Sequence, residues 1–114
     1  MQKNDNALQE KSYKFSLRIV NLYKFLVQEK NEYVLSKQVL RSGTSVGANV
    51  EESLGAQSDR DFLSKISISY KEGRETKFWI RLLRDSEYID SKIAQSLIDD
   101  TEELLRIMGA IQIS

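Results

Sequence analysis

Apolar residues recur at helical spacing along most of the chain and divide it into four segments. The first covers about residues 8–30, where four apolar residues recur at roughly 100° per residue: Phe15, Ile19, Leu22 and Leu26. Three others widen the stripe beyond one packing face: Val20, Tyr23 and Val27. So broad a stripe predicts a helix that is covered on two sides.

The same pattern predicts three more helices, at about residues 36–56, 59–86 and 91–112. The second has an apolar face of Leu35, Val39, Val46, Val50 and Leu54. The predicted core positions of the third are Ile68, Trp79, Leu82 and Leu83. Those of the fourth are Ile93, Leu97, Leu104, Met108 and Ile111.

Polar residues at the starts of these segments fit helix N-caps, whose side-chain oxygen accepts a free backbone N–H. Ser36 is the predicted cap of the second helix, Ser58 that of the third, and Asp90 or Ser91 that of the fourth. Four amphipathic helices with short connections predict an all-α fold, an antiparallel up-down-up-down four-helix bundle, as one domain over residues 1–114. A β fold would need period-two alternation and turn dipeptides, which the sequence lacks.

The amino-acid composition limits the classes of function that the chain could have. Hydrophobic residues make up 40% and charged residues 30%, as in a globular chain. The sequence has no apolar run of membrane-spanning length and no signal-peptide core, so we expect a cytoplasmic protein. It contains no His and no Cys, which removes the commonest general base, the commonest metal ligand and any thiolate nucleophile. We therefore expect no enzyme, no metal and no cofactor.

The stretch RSGTSVGANVEESLGA is unusually rich in small residues, since nine of its sixteen are Gly, Ala, Ser or Thr. It lacks the Lys and the preceding strand of a phosphate-binding loop. A glycine costs a helix about 1 kcal/mol relative to Ala, so two of them one turn apart indicate close approach of another helix. We predict close packing through Gly43, Ser45, Gly47 and Ala48. A stripe of Arg41, Ser45, Ala48 and Glu52 predicts a second packing surface.

Two acids, Glu72 and Glu75, project onto or beside the predicted apolar stripe of the third helix. Buried carboxylates need partners, and Arg41 and Asn49 are the nearest by pattern. The sequence thus predicts a buried polar network of Arg41, Asn49, Glu52, Glu72 and Glu75. The alternative is that the carboxylates of Glu52, Glu72 and Glu75 serve metal binding or acid–base chemistry.

The third helix also carries a basic stripe of Lys71, Arg74, Lys77, Arg81 and Arg84. The chain as a whole is neutral, with 17 basic and 17 acidic residues. Taken alone, such a stripe is by default a solvated face. The alternatives are contact with a nucleic-acid backbone or a surface that meets acids of the fourth helix, in the same chain or in another copy. Those acids are Asp99, Asp100, Glu102 and Glu103.

Three stretches, RSGTSVGANVEE, DFLSKISIS and KEGRETKFWIRLL, resemble the four-helix bundle family known as ribosomal-RNA intervening-sequence proteins. The resemblance extends over about residues 12–107 and departs mildly at Ser53, where the family often has glycine. It implies a bacterial homopentamer with no established enzymatic activity. Related bundles serve as accessory proteins of diversity-generating retroelements, where a basic pentamer engages nucleic acid, and this neutral chain differs from them in charge.

Two hypotheses follow from these observations. The first is a non-enzymatic homo-oligomeric interaction module, preferably a pentamer, whose wide first stripe and small-residue stripe contact other copies. The second is an accessory protein that binds RNA or an RNA–protein complex through the basic stripe. An enzyme using the three glutamates is the weakest reading, because the chain has no His to complete an acid–base pair.

Overall fold

The computed structural model describes residues 3–113, with side chains from residue 7 onward, and contains four helices. These are α1 (Lys3–Lys30), α2 (Leu35–Leu54), α3 (Asp59–Asp85) and α4 (Ser91–Ile113). The first helix begins five residues earlier than predicted, and the second ends two residues earlier. Residues 1, 2 and 114 of the predicted domain lie outside the described residues.

Neighbouring helices along the chain pack against each other, and α4 closes the bundle against α1. Over the described residues, the Cα atoms of α1 stay more than 8 Å from those of α3, as do those of α2 from those of α4, so these pairs lie diagonally across the bundle. The molecule measures 43 × 20 × 19 Å, close to the length of one helix by the width of two. The predicted antiparallel four-helix bundle is therefore confirmed. Within the described range, none of the helices is long and apolar enough to cross a membrane.

The core is built from apolar side chains of all four helices. All four residues of the predicted α1 stripe are buried, as are Val39, Val46 and Val50 of α2. From α4 the buried apolar residues are Ala94, Leu97, Ile98, Leu104 and Met108. The predicted core residue Ile93 of α4 is instead half-exposed.

The core face of α3 differs from its prediction. Of the four predicted positions only Leu83 is buried, whereas Ile68 and Leu82 are exposed. The buried face consists of Ile66, Ser69, Gly73, Thr76, Ile80 and Leu83. Small residues in this face let α3 lie close to α2, where Thr76 donates a hydrogen bond to the hydroxyl of Ser42 (2.9 Å) and Ser69 to the carbonyl of Val46 (2.8 Å).

The N-caps of α3 and α4 agree with the sequence predictions, and the N-cap of α2 does not. The hydroxyl of Ser58 accepts the backbone N–H of Asp61 at 3.0 Å, and the carboxylate of Asp90 accepts that of Ile93 at 2.8 Å. The prediction of Ser36 as a cap is wrong, because Ser36 is buried one residue inside α2. Glu32 takes that role from the preceding connection: its carboxylate accepts the backbone N–H of Ser36 at 2.7 Å.

Candidate functional site

The four small residues predicted for close packing lie on two sides of α2. Gly43 and Gly47 face α1, where a Cβ on Gly43 would lie 2.7 Å from both Cγ atoms of Ile19. A Cβ on Gly47 would overlap the hydroxyl of Ser16. The glycines therefore set the close spacing of α1 and α2. The other two, Ser45 and Ala48, lie on the outer side, with Ala48 exposed.

Three of the five residues of the predicted polar network meet where α2 borders α3. The guanidinium of Arg41 donates to the carboxylate of Glu72 at 3.2 Å and also to that of Glu75. Glu75 also accepts the indole N–H of Trp79 at 2.9 Å. The hydrogen bond from Trp79, followed by that from Arg41, lowers the pKa of Glu75 against the opposing effect of burial. In turn, the hydrogen bond to Glu75 raises the pKa of Arg41.

This cluster lies at the surface of the bundle rather than in its core. The side chain of Glu75 is 37% exposed and that of Arg41 is 50% exposed. The sequence predicts that this cluster is buried. The observed core face of α3 is rotated from its predicted position towards Ser69 and Thr76, and this places both glutamates at the edge of the face. Asn49 and Glu52 do not join the cluster: Asn49 donates to the carbonyl of Ser45 at 2.8 Å, and Glu52 pairs with Lys65 at 3.2 Å.

The geometry of the carboxylates bears on metal or acid–base chemistry. Glu72 and Glu75 share one arginine, and Glu52 is paired separately with a lysine. Among the residues that the structure describes, no three acidic side chains come together as a candidate metal site. The cluster can therefore hold α2 against α3, with both of its carboxylates bound to Arg41.

Replacing Glu75 with glutamine should cost no more than about 1 kcal/mol of unfolding free energy, because the ion pair with Arg41 is open to solvent screening. Urea denaturation followed by the fluorescence of Trp79 would measure it. The matched control is Glu52→Gln, which removes another exposed ion pair. A loss above about 2 kcal/mol for Glu75→Gln alone would show that the cluster behaves as a buried network.

The predicted basic stripe divides into two groups. Lys77 pairs with Glu102 of α4 at 2.9 Å, and Arg84 pairs with its neighbour Asp85 at 2.8 Å. Lys71, Arg74 and Arg81 are exposed and form no ion pair within the described part of the chain. The division follows the helix geometry, because Lys77 projects towards α4. Lys71, Arg74 and Arg81 instead project away from the bundle.

The acids of α4 are largely paired inside their own chain. Arg18 of α1 contacts Asp100 at 2.6 Å, and Lys11 contacts Glu103 at 3.4 Å. With Glu102 bound to Lys77, three of the four acids predicted to balance a basic surface have partners on α1 or α3. Asp99 accepts a hydrogen bond from Gln95 at 2.9 Å.

Several large apolar side chains are exposed, and sequence reasoning missed most of them. On α1 these include Tyr13 (65% exposed) and Leu17 (50%). On α3 they include Ile68, Phe78 and Leu82, of which Phe78 is 51% exposed. For Tyr13 and Leu17 the signal that could have found them is their angular position outside the predicted apolar stripe of α1. Ile68 and Leu82 lie within the predicted stripe of α3, so the sequence carries no such signal for them.

A groove of about 910 Å³ opens between the C-terminal part of α1 and the start of α4. Its apolar lining includes Leu22, Phe25, Tyr88, Ile89, Ile93 and Leu97. The charged residues that line it are balanced, since three are basic (Arg18, Lys30 and Arg84) and three are acidic (Asp85, Glu87 and Asp90). The groove therefore has apolar surface but no charge preference that selects a ligand.

Fold and surface together define a class of protein: a small antiparallel four-helix bundle whose distinguishing features lie on its outer faces. The chain belongs to the 23S rRNA-intervening sequence protein family, whose model matches residues 4–110. It is also similar to a solved structure from Bacteroides thetaiotaomicron, a protein of unknown function from the S23 ribosomal protein family. The two share 47% identity with a TM-score of 0.95, over 97% of this chain and 99% of the other. No curated protein matches the chain.

Proposed function

We propose that this protein is a non-enzymatic interaction module of the cytoplasm that assembles as a homo-oligomer. The observation that carries the proposal is apolar surface on two diagonal helices. Tyr13 and Leu17 are exposed on α1, and Ile68 and Leu82 are exposed on α3. Exposed apolar side chains that cluster on a helix face are typical of protein–protein contacts.

Two faces can be defined on this basis. The α1 face consists of Tyr13, Leu17, Val20 and Val27, which recur at helical spacing. The α2–α3 face consists of Ser45, Ala48, Ile68 and Leu82, and the ion pairs Arg41–Glu72 and Lys65–Glu52 join the two helices beside it. Small residues on α2 leave room for the side chains of another helix.

The positions of the two faces favour a head-to-tail contact between copies. Because α1 and α3 lie diagonally across the bundle, the two faces point in different directions. When one face of a copy binds the other face of the next copy, the contact is heterologous, and it forms a ring when the rotation from one copy to the next closes. Five copies are the preferred number, on the resemblance to the pentameric family.

The ion pairs of the three candidate glutamates support the non-enzymatic part of the proposal. The glutamates that could serve chemistry are bound to Arg41 or Lys65. The similar protein of known structure is itself described as having unknown function, and nothing in the family description indicates a reaction.

Light scattering on the purified chain at micromolar concentration should give the mass of an oligomer, preferably of five copies. Leu17→Glu on the α1 face and Ile68→Glu on the α2–α3 face should each reduce that mass, because a buried charge without a partner opposes the contact. Ile113→Glu is the control, since Ile113 is 89% exposed and lies on neither face. A wild-type chain that is strictly monomeric would refute the proposal.

Mixing the two variants separates a heterologous contact from a symmetric one. Each variant keeps one intact face, so a heterologous contact allows one copy of each to pair and nothing larger to form. If two copies of the α1 face bind each other instead, Ile68→Glu alone would keep the wild-type mass. That result would contradict the ring.

A further inference from the structure

The outward surface of α3 combines three cations with an aromatic ring. Lys71, Arg74, Phe78 and Arg81 follow the spacing i, i+3, i+7 and i+10, which places them on one face of the helix. All four are exposed. From the first to the last they extend over about 15 Å of helix. We call these four residues the α3 cationic face.

The three cations leave a positive charge that the described part of the chain does not neutralise. The acid nearest to Arg81 along the helix is Asp85, whose pKa is lowered mainly by its hydrogen bond from Arg84 and least by the charge of Arg81. Glu72 and Glu75, which directly follow the other two cations in the sequence, share the single cation of Arg41 and so offset only part of the positive charge. The Debye length in physiological salt is about 8 Å, so this local excess decides which molecules bind, although the whole chain is neutral.

The ring of Phe78 is held in place although it is exposed. It packs edge-on against Trp79, with ring centroids 5.0 Å apart and an angle of 71° between the planes. Trp79 is fixed in turn by its hydrogen bond to Glu75. A solvated helix face explains the cations but not an exposed, braced aromatic ring among them.

The choice of partner follows from what each class of molecule could offer. Three acids of α4, Asp100, Glu102 and Glu103, are paired within their own chain, so most of the acidic surface of α4 in another copy is already occupied. A polynucleotide offers phosphates to the cations and a base to the ring. Only a single strand has bases that are free to stack on an aromatic side chain, since those of a duplex are already stacked.

We propose that the α3 cationic face binds a single-stranded polynucleotide, with phosphates on Lys71, Arg74 and Arg81 and one base stacked on Phe78. Base stacking on an exposed aromatic side chain is tolerant of sequence, so the site selects strand structure and not base identity. These four residues are not among those that define the α1 face or the α2–α3 face, and Phe78 lies one turn before Leu82 of the α2–α3 face.

The test measures the binding of a labelled oligouridylate of about twelve nucleotides by fluorescence anisotropy, beside a duplex of the same length. Affinity for the single strand should fall with salt at a log–log slope of about −2, for three phosphates at about −0.7 each. Phe78→Ala should weaken binding about five- to a hundredfold, and Phe78→Tyr should restore it. Arg74→Gln should weaken binding and make the slope shallower by about 0.7.

Lys77→Gln is the matched control, because Lys77 belongs to the same basic stripe but is paired with Glu102. It should leave both the affinity and the salt slope unchanged. No binding at low salt, equal affinity for the duplex, or an unchanged affinity for Phe78→Ala would each overturn the proposal. Light scattering on every variant identifies the remaining outcome: a loss of oligomer mass with Phe78→Ala would make this face a contact between copies.

Discussion

Replacing Gly43 with alanine is expected to destabilise the bundle by about 1–3 kcal/mol, because the added methyl group overpacks the contact between α1 and α2. It would lie 2.7 Å from Cγ1 and Cγ2 of Ile19. Ile19 is completely buried, and these two atoms are bonded directly to its Cβ, so they have little freedom to move. Either α1 shifts away from α2 or Ile19 adopts a strained rotamer.

Gly109→Ala is the matched control for this prediction, since it makes the same change inside another helix. There the new methyl group would lie 3.6 Å from Tyr70, an ordinary contact. We expect Gly109→Ala to stabilise the protein by up to about 1 kcal/mol through helix propensity alone. Urea denaturation at one fixed protein concentration gives the change in unfolding free energy for each variant. If both changes have the same sign, the tight α1–α2 contact is contradicted.

Removing the side chain of Glu32 is expected to cost about 1–3 kcal/mol, because its carboxylate caps α2. It accepts the backbone N–H groups of Val34 at 3.2 Å and Ser36 at 2.7 Å from a buried position. Glu32→Ala leaves both donors without that acceptor. Glu32→Gln keeps a neutral acceptor, so its loss should be smaller. Glu29→Gln, at an exposed position nearby, serves as the control.

The same carboxylate predicts how stability depends on pH. Burial raises the pKa of Glu32, but hydrogen bonds from the backbone N–H groups of Ser36, Leu35 and Val34 outweigh it and lower the pKa below its ordinary value of 4.5. A carboxyl whose pKa is lower in the folded state than in the unfolded state stabilises the protein fully above its unfolded pKa. This contribution is lost as the pH falls through the folded pKa.

Acid denaturation of the wild type against Glu32→Gln would measure this contribution. We expect the variant to lose less stability than the wild type as the pH is lowered from about 4.5, because it has no charge at this position to neutralise. The pKa of Glu75 is also lowered, so both chains should retain some acid sensitivity. Parallel curves for the two chains would show that Glu32 is not the group responsible.

Tertiary packing explains why the sequence misplaced the core face of α3. Its buried positions include Ser69, Gly73 and Thr76, which carry little hydrophobic signal. The apolar residues Ile68 and Leu82, which define the stronger pattern, lie on the flank and are exposed. A hydrophobicity pattern cannot recognise a helix contact made by small side chains, because their value comes from close approach and from hydrogen bonds such as that from Thr76 to Ser42.

The start of α2 was misplaced for a related reason. Ser36 has the local signature of an N-cap, but the chain turns earlier, at Asn31, whose φ of 51° lies in the left-handed region that Asn tolerates better than most residues. That turn brings Glu32 back beneath the first turn of α2. Glu32 lies in the connection between α1 and α2, so its role as the cap depends on the path of the backbone there, which the sequence pattern does not show.

The sequence by itself determined the four helices, their order and most of the core of α1, α2 and α4, because helical periodicity is a local property that each segment carries alone. It also brought Arg41 together with Glu72 and Glu75 by pattern. Only the tertiary structure decided which face of α3 points inward and therefore that this cluster lies at the surface. Only the structure showed that Lys77 of the basic stripe is neutralised by Glu102 of α4, and that two other acids of α4 are taken by Lys11 and Arg18 of α1.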